Sequence, residues 1–135
     1  IFETRGNHDC HAILRGGKAP NYSAADVQAT CELLQKSGQR AQVMIDLSHA
    51  NSSKQHARQI AVAGDVAAQI AGGDARITGV MIESHLEEGR QDIVPGQALR
   101  HGVSVTDACI SFAQTVPVLQ QLAAAVRQRR ARATR

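Results

Sequence analysis

The side chains with the greatest chemical capability follow apolar runs. The run 43–45 (VMI) leads to His49, and the run 79–82 (GVMI) leads directly to Glu83. Burying an ionised, unpaired carboxylate is costly, so Glu83 requires a cation nearby. Together with Asp107, in the segment TDACI, these residues form a donor set suited to a divalent ion such as Mn²⁺, Fe²⁺, Co²⁺ or Zn²⁺. Two simpler explanations stay open: His49 as a hydrogen-bonded structural group and Asp107 as a helix cap.

A second chemical feature is Arg15, which follows the apolar run 12–14 and precedes two glycines. A guanidinium beside exposed backbone N–H groups favours an anion site that would hold a phosphate. The segment RGGK is not a Walker loop, which has a different spacing and a Ser or Thr after the lysine. The alternative is a surface arginine beside a turn.

The elements that must position these residues can be read from the hydrophobic periodicity. Short apolar runs alternate with segments of helical spacing, and glycines follow the helical segments. Ser23 with Asp26 resembles a capping box at the start of the first helix. Gly64 is expected to interrupt the second helix, and Pro117 to lie near the first turn of the last. The predicted order is β-α-β-α-β-loop-α, with strands at 12–14, 43–47 and 77–82.

The spacing of the strands indicates the fold class. Apolar strands that alternate with helices indicate an α/β protein with a parallel sheet covered on both faces. Arg15, His49 and Glu83 are separated by 34 positions each (49 − 15 and 83 − 49), close to the βα unit of a TIM barrel. The chain therefore resembles about three βα units from the C-terminal part of a (β/α)₈ barrel. Its start at Ile1 agrees with that expectation, and equal steps predict one shared pocket at the carboxyl ends of the strands.

Composition argues against several classes of function. Five of the 15 Lys and Arg lie after Val126, where there are no acids, so residues 1–126 carry a net charge of −2 (10 − 12). We therefore divide the chain into a barrel portion, 1–126, and an Arg-rich tail, 127–135. Few aromatic residues and a basic character confined to the tail argue against nucleic-acid binding. No apolar stretch predicts a membrane span or signal peptide, and three cysteines without close pairing predict free thiols in a cytoplasmic protein.

Five motifs in order make the chain similar to a known family. It resembles the C-terminal half of the class I 3-deoxy-D-arabino-heptulosonate 7-phosphate (DAHP) synthases. The resemblance covers all but the Arg-rich tail, and the segments that carry it are DCHAILRGGKAPNYS, VMIDLSHANSSKQ, QIAGG, GVMIESHLEEGRQ and SVTDACI.

The resemblance implies a role for each candidate residue. His49, Glu83 and Asp107 are implied to be metal ligands, and Arg15 a contact to the phosphate of phosphoenolpyruvate. His49 and Asp107 are implied to be catalytic and to contact substrate. The family's fourth ligand, a cysteine on the first barrel strand, matches none of Cys10, Cys31 and Cys109.

The implied activity is the metal-dependent condensation of phosphoenolpyruvate with erythrose 4-phosphate to DAHP and phosphate. This is the first step of the shikimate pathway of aromatic amino acid biosynthesis, and such enzymes are commonly dimers or tetramers. The 135 residues alone are expected to be inactive. Two alternatives stay open: the sibling 3-deoxy-octulosonate 8-phosphate synthase, and a non-catalytic half-barrel that binds metal or phosphate. The sequence leaves undecided the native metal and which aromatic amino acid would inhibit the enzyme.

Overall fold

The computed structural model describes residues 1–7 and 9–134. It confirms the predicted order of the three strands and three helices, and it adds two short strands within the polar stretch before the last helix. The elements are β1 (Ala12–Leu14), α1 (Ala24–Lys36), β2 (Val43–Asp46), a 3₁₀ turn (His56–Arg58), α2 (Gln59–Gly72), β3 (Ile77–Met81), β4 (Ser84–His85), β5 (Ile110–Ser111) and α3 (Phe112–Ala133).

The main sheet is parallel, as predicted, with the order β1-β2-β3. β2 lies between the other two strands, and its residues Val43 and Ile45 are fully buried. Strands buried on both faces read as continuous apolar runs, which explains why β2 was recognisable in the sequence. Helices α2 and α3 pack against each other and contribute Val62, Val66 and Leu122 to the same core.

Local signals set the ends of α1 and α2. Ser23 and Asp26 form the predicted capping box, in which the Ser23 hydroxyl accepts from the Asp26 N–H and the Asp26 carboxylate accepts from the Ser23 N–H. Gly73 ends α2 with a φ of 117°, a left-handed conformation that favours glycine. The predicted interruption at Gly64 is wrong, because α2 continues through it to Gly72. Gly64 faces α3, with Gln121 Nε2 3.8 Å from where a Cβ would lie, so packing outweighs a propensity cost of about 1 kcal/mol.

The last helix begins earlier than predicted. Ser111 and Gln114 form a second capping box, so α3 begins at Phe112 and Pro117 lies in its second turn. α3 also continues across the proposed boundary at residue 126 as far as Ala133. Arg129 donates a hydrogen bond from Nη1 to the Asp74 carbonyl at 2.9 Å. Part of the Arg-rich segment is thus attached to the body of the protein, whereas the division into two regions stays a prediction.

The polar stretch between β3 and α3 has more structure than its composition indicated. β4 and β5 form a two-stranded parallel sheet, and an isolated antiparallel bridge joins Gly89 to Cys109. These pairings connect residues far apart in the chain, so local sequence signals did not reveal them. All three cysteines are free, as predicted. Among the described residues, no helix is both long enough and apolar enough to cross a membrane.

Candidate metal centre

The carboxyl ends of the three parallel strands bring the predicted residues to one edge of the sheet. In the register of the sheet Leu14 pairs with Ile45, and Ile45 pairs with Val80. The strands therefore end at similar heights. Arg15 follows β1 immediately, whereas His49 and Glu83 lie in the loops that follow β2 and β3. The 34-residue spacing thus brings the three residues to the same edge of the sheet, with Arg15 directly at the end of its strand and His49 and Glu83 a few positions beyond theirs.

One cavity of about 450 Å³ collects these side chains. Asp107 reaches it from the loop that precedes β5, although it lies on no strand of the main sheet. The prediction that all four candidate residues share one pocket therefore agrees with the geometry. The residues that line the cavity are Arg15, Ser48, His49, Lys54, His56, Glu83, Asp107 and Ala108.

The ligand set has the size of a single-ion site. His49, Glu83 and Asp107 each offer one donor atom, and these atoms lie within 4.8 Å of one another. His49 Nε2 is 3.7 Å from Glu83 Oε1. Donors that share one ion at bond lengths of about 2.0–2.2 Å are about 3–4 Å apart, so a small inward movement of the side chains would bring all three onto an ion. One imidazole and two carboxylates are chemically suited to a divalent transition metal.

His49 is held in place by its backbone and by a buried carboxylate. Its φ of 47° lies in the left-handed region, where histidine is found more often than most residues. Nδ1 lies 2.7 Å from Asp46 Oδ2, which leaves Nε2 on the side of Glu83. Metal-binding histidines are commonly oriented by a carboxylate in this way. The sequence prediction gave Asp46 no role, although an acidic residue at the end of an apolar strand indicates a functional site.

Glu83 is held at both its carboxylate and its backbone. The Ser48 hydroxyl donates to Oε2 at 2.5 Å. The Gln59 side chain, 1% exposed, donates from Nε2 to the Glu83 carbonyl and accepts from its N–H. Gln59 thus holds the backbone of Glu83 just beyond the end of β3. Gln59 was also missed, because nothing in its local sequence indicates a partner 24 positions away.

Arg15 is supported by the neighbouring loop. The Asn21 side chain accepts from the Gly16 N–H, and the Asn51 side chain accepts from the Asn21 N–H at 2.8 Å. Asn51, 1% exposed, also donates to the carbonyls of Leu14 and Asp46, so it joins the ends of β1 and β2. The Arg15 side chain itself is 60% exposed. The backbone around Arg15 is therefore held in place, while the guanidinium group can reach an anion.

Two further basic side chains line the cavity and were not singled out from the sequence. Lys54 is exposed and has a φ of 59°, and His56 Nε2 lies 3.9 Å from Glu88 Oε1. Arg15, Lys54 and the metal-ligand set give the cavity the charges needed for an anionic substrate beside a cation. Cys109 is buried close by, and burial raises the pKa of its thiol. Among the described residues, no cysteine belongs to the ligand set.

Comparison with known proteins assigns the family. The model of the DAHP synthetase I family matches residues 2–120. The Phe-sensitive phospho-2-dehydro-3-deoxyheptonate aldolase of Escherichia coli (strain K12) is 58% identical over 130 residues, which cover 96% of this chain and 37% of that protein. The tyrosine-inhibited enzyme of that name from Schizosaccharomyces pombe is 54% identical over 135 residues, covering 96% of this chain and 36% of that protein.

A solved structure agrees with the sequence matches. The phospho-2-dehydro-3-deoxyheptonate aldolase of Francisella tularensis superimposes with a TM-score of 0.90 at 46% identity, over 95% of this chain and 37% of that one. The chain thus spans little more than a third of the length of its relatives. Its predicted position in the C-terminal part of such an enzyme stays a prediction. The resemblance to the family, in contrast, is confirmed: the chain belongs to the DAHP synthetase I family.

Proposed function

We propose that these residues form the metal-binding part of the active site of an enzyme that condenses phosphoenolpyruvate with erythrose 4-phosphate. The products are DAHP and inorganic phosphate, at the start of aromatic amino acid biosynthesis. The observation that carries the proposal is the convergence of Arg15, His49, Glu83 and Asp107 on one cavity. The relatives named above, which bear the name phospho-2-dehydro-3-deoxyheptonate aldolase, support it.

The fold supports a barrel interpretation. Three parallel strands with α1 and α2 as crossovers and α3 beyond them correspond to about three βα units of a (β/α)₈ barrel. In that fold the active site lies at the carboxyl ends of the strands, where the cavity is found. Other segments of the full-length enzyme would supply the remaining strands and the cysteine ligand that the family resemblance implies. We further propose a cytoplasmic homo-oligomer, a dimer or tetramer, that binds neither nucleic acid nor membrane.

The metal site would be formed by His49 Nε2 and by one carboxylate oxygen each of Glu83 and Asp107. A divalent ion bound there, Mn²⁺, Fe²⁺, Co²⁺ or Zn²⁺, would polarise the aldehyde carbonyl of erythrose 4-phosphate. The donor set admits all four ions and does not select one.

The chain's own residues would bind and orient the substrates. Arg15 would hold the phosphate of phosphoenolpyruvate with its guanidinium fork, so that C3 of the enol faces the aldehyde carbon. Asp107, the most exposed of the three ligands, would also contact a hydroxyl of the aldehyde substrate. Correct orientation matters because water competes for phosphoenolpyruvate until the aldehyde is present.

The test is turnover by the full-length enzyme with each candidate aldose. Phosphoenolpyruvate is supplied with erythrose 4-phosphate or arabinose 5-phosphate in the presence of Mn²⁺, and the product is identified by mass. DAHP formation with a strong preference for erythrose 4-phosphate supports the proposal. Preference for arabinose 5-phosphate would instead indicate the 3-deoxy-octulosonate 8-phosphate sibling, and turnover of neither aldose would favour a non-catalytic role.

A further inference from the structure

The carboxylate of Asp46 is the most buried charged group at the edge of the site. The residue is 2% exposed, and burying a carboxylate is costly unless its oxygens find donors. Oδ1 accepts from the Ser48 N–H at 2.8 Å. Oδ2 lies 2.7 Å from His49 Nδ1 and 3.9 Å from Arg15 Nε. The two oxygens of Asp46 therefore have different partners.

The contact with His49 decides which ring nitrogen is free. An ionised carboxylate only accepts hydrogen bonds, so the Nδ1 atom beside it must carry the proton. Nε2 of the neutral ring is then left with its lone pair on the side of Glu83, 3.7 Å from Oε1. A metal ion requires that lone pair.

From this geometry we propose that Asp46 is a positioning residue that selects the metal-binding tautomer of His49. The inference rests on the proposed function, because it concerns the same metal site. Asp46 itself contributes no donor atom to the ligand set. It acts through His49, and its distance to Arg15 is too long and that side chain too exposed for a strong direct effect on phosphate binding.

The substitution Asp46→Asn separates this role from simple support of the turn. The asparagine has nearly the same shape, and the Ser48 N–H still requires an acceptor, which keeps the amide oxygen in the place of Oδ1. The amide nitrogen must then face His49, where it donates to Nδ1 and moves the ring proton to Nε2. In that tautomer Nε2 has no lone pair to offer to an ion.

The experiment compares Mn²⁺ affinity and phosphoenolpyruvate affinity in the full-length enzyme. Calorimetric titration of metal-free protein with MnCl₂ should show about 10- to 100-fold weaker binding in Asp46→Asn. Binding of phosphoenolpyruvate to the metal-free protein should change by less than about threefold, because the contact between Asp46 and the largely exposed Arg15 side chain is long. The control Asp92→Asn, in an exposed loop, should change neither affinity. The proposal is overturned if Asp46→Asn binds Mn²⁺ as tightly as the parent enzyme, or if its affinities for Mn²⁺ and phosphoenolpyruvate fall by the same factor.

A second measurement needs no variant of Asp46, and so it applies even if Asp46→Asn fails to fold. Full-length metal-free enzyme labelled with ¹⁵N in its histidine rings, at a pH high enough for the His49 ring to be neutral, should show His49 protonated at Nδ1 and bare at Nε2, with its signals assigned by their loss in His49→Gln. The opposite tautomer overturns the proposal. Both readouts are independent of turnover. An enzyme that makes no DAHP would therefore refute the proposed function, and the Mn²⁺ affinity and the His49 tautomer would still test the role of Asp46.

Discussion

At the residue scale, the chemistry rests on side chains that are fixed by hydrogen bonds to neighbouring polar side chains. Glu83 receives the Ser48 hydroxyl, and His49 is held by Asp46. The three metal ligands lie outside the apolar core of the protein. Removal of one ligand should therefore empty the metal site without unfolding the protein.

The first prediction concerns the ligands themselves. In the full-length enzyme His49→Ala should abolish turnover by loss of metal. Only the carboxylates of Glu83 and Asp107 would remain from this chain, and the ion would have an open coordination position in place of the imidazole. Metal content by atomic absorption and circular dichroism together check this result. The control His101→Ala, at an exposed position, should keep both metal and activity. Full metal content with normal turnover in His49→Ala would remove His49 from the site.

The second prediction concerns Arg15. Arg15→Lys keeps the charge and loses the bidentate fork, so kcat/KM for phosphoenolpyruvate should fall by an amount equivalent to about 1–3 kcal/mol. The matched control is Arg40→Lys, an exposed arginine outside the cavity, which should have no effect. Steady-state kinetics with varied phosphoenolpyruvate measures both. Equal kinetic constants in Arg15→Lys and the parent enzyme would contradict a phosphate contact.

At the element scale, the site depends on how closely the loops after β1 and β2 approach each other. Asn51 joins the ends of the two strands, and Gly16 lies directly against the loop that carries His49. The backbone of Gly16 has a φ of 75°. Both the conformation and the contact make glycine necessary at this position.

The third prediction follows from this contact. A Cβ at residue 16 would lie 2.6 Å from Ala50 Cβ, so Gly16→Ala should displace the Arg15 loop. We expect a loss of stability of about 1–3 kcal/mol, from the left-handed backbone and the clash, and a raised KM for phosphoenolpyruvate. Gly17→Ala is the control, because nothing lies within 4 Å of its added Cβ. Equal melting temperatures and KM values for the two variants would contradict the close packing.

The fourth prediction concerns the turn between α2 and β3. Asp74 accepts from Arg76 Nε at 2.9 Å and from Nη2 at 2.7 Å, and these hydrogen bonds lower the pKa of Asp74 below its ordinary value of 3.8. Its stabilisation is therefore present above the unfolded-state pKa and is lost as the pH falls through the lower folded-state pKa. Asp74→Asn should cost on the order of 1–2 kcal/mol at pH 7, with the difference from the parent vanishing in acid.

The control for Asp74 has the same spacing at an exposed position. Asp92 pairs with Arg90, and their side chains are 77% and 51% exposed. Asp92→Asn should change stability little, because exposed ion pairs contribute little. Denaturant titrations of both variants at several pH values make the comparison. A pH-independent loss in Asp74→Asn would show that packing, rather than its charge, stabilises the turn.

At the scale of the whole molecule, the described residues form an incomplete sheet. β1 and β3 each pair on one side only within the main sheet, and Ile13 on β1 is 51% exposed. Unpaired strand edges and exposed apolar side chains favour association. These two edges are where the proposed barrel would place its further strands.

The fifth prediction is that the 135-residue chain by itself does not catalyse the condensation. Within the described part of the chain, its ligand set has three members and lacks the cysteine that the family resemblance implies. The purified fragment is assayed with both substrates and Mn²⁺, and the assay is repeated with the rest of the enzyme added in trans. Turnover by the fragment alone, near the rate of the complete enzyme, would falsify the half-barrel hypothesis.

The sequence by itself determined the order of the main elements and the residues at the ends of the main strands. Apolar strands buried on both faces and helices with caps are local patterns, so β1, β2, β3 and the start of α1 were predicted. A repeat of 34 positions then indicated that Arg15, His49 and Glu83 lie at the same edge of the sheet, because every strand of a parallel sheet runs in the same direction.

Only the tertiary structure decided what supports those residues. The hydrogen bonds from Ser48 and Gln59 to Glu83 join positions 35 and 24 apart, and the pairing of Ser84 in β4 with Ile110 in β5 joins positions 26 apart (110 − 84). The approach of Asp107 from an irregular loop is of the same kind. These contacts depend on where folded elements meet in space, which hydrophobic periodicity does not encode. Asp46 likewise comes within 3.9 Å of Arg15 only because the loop after β1 lies against the loop after β2.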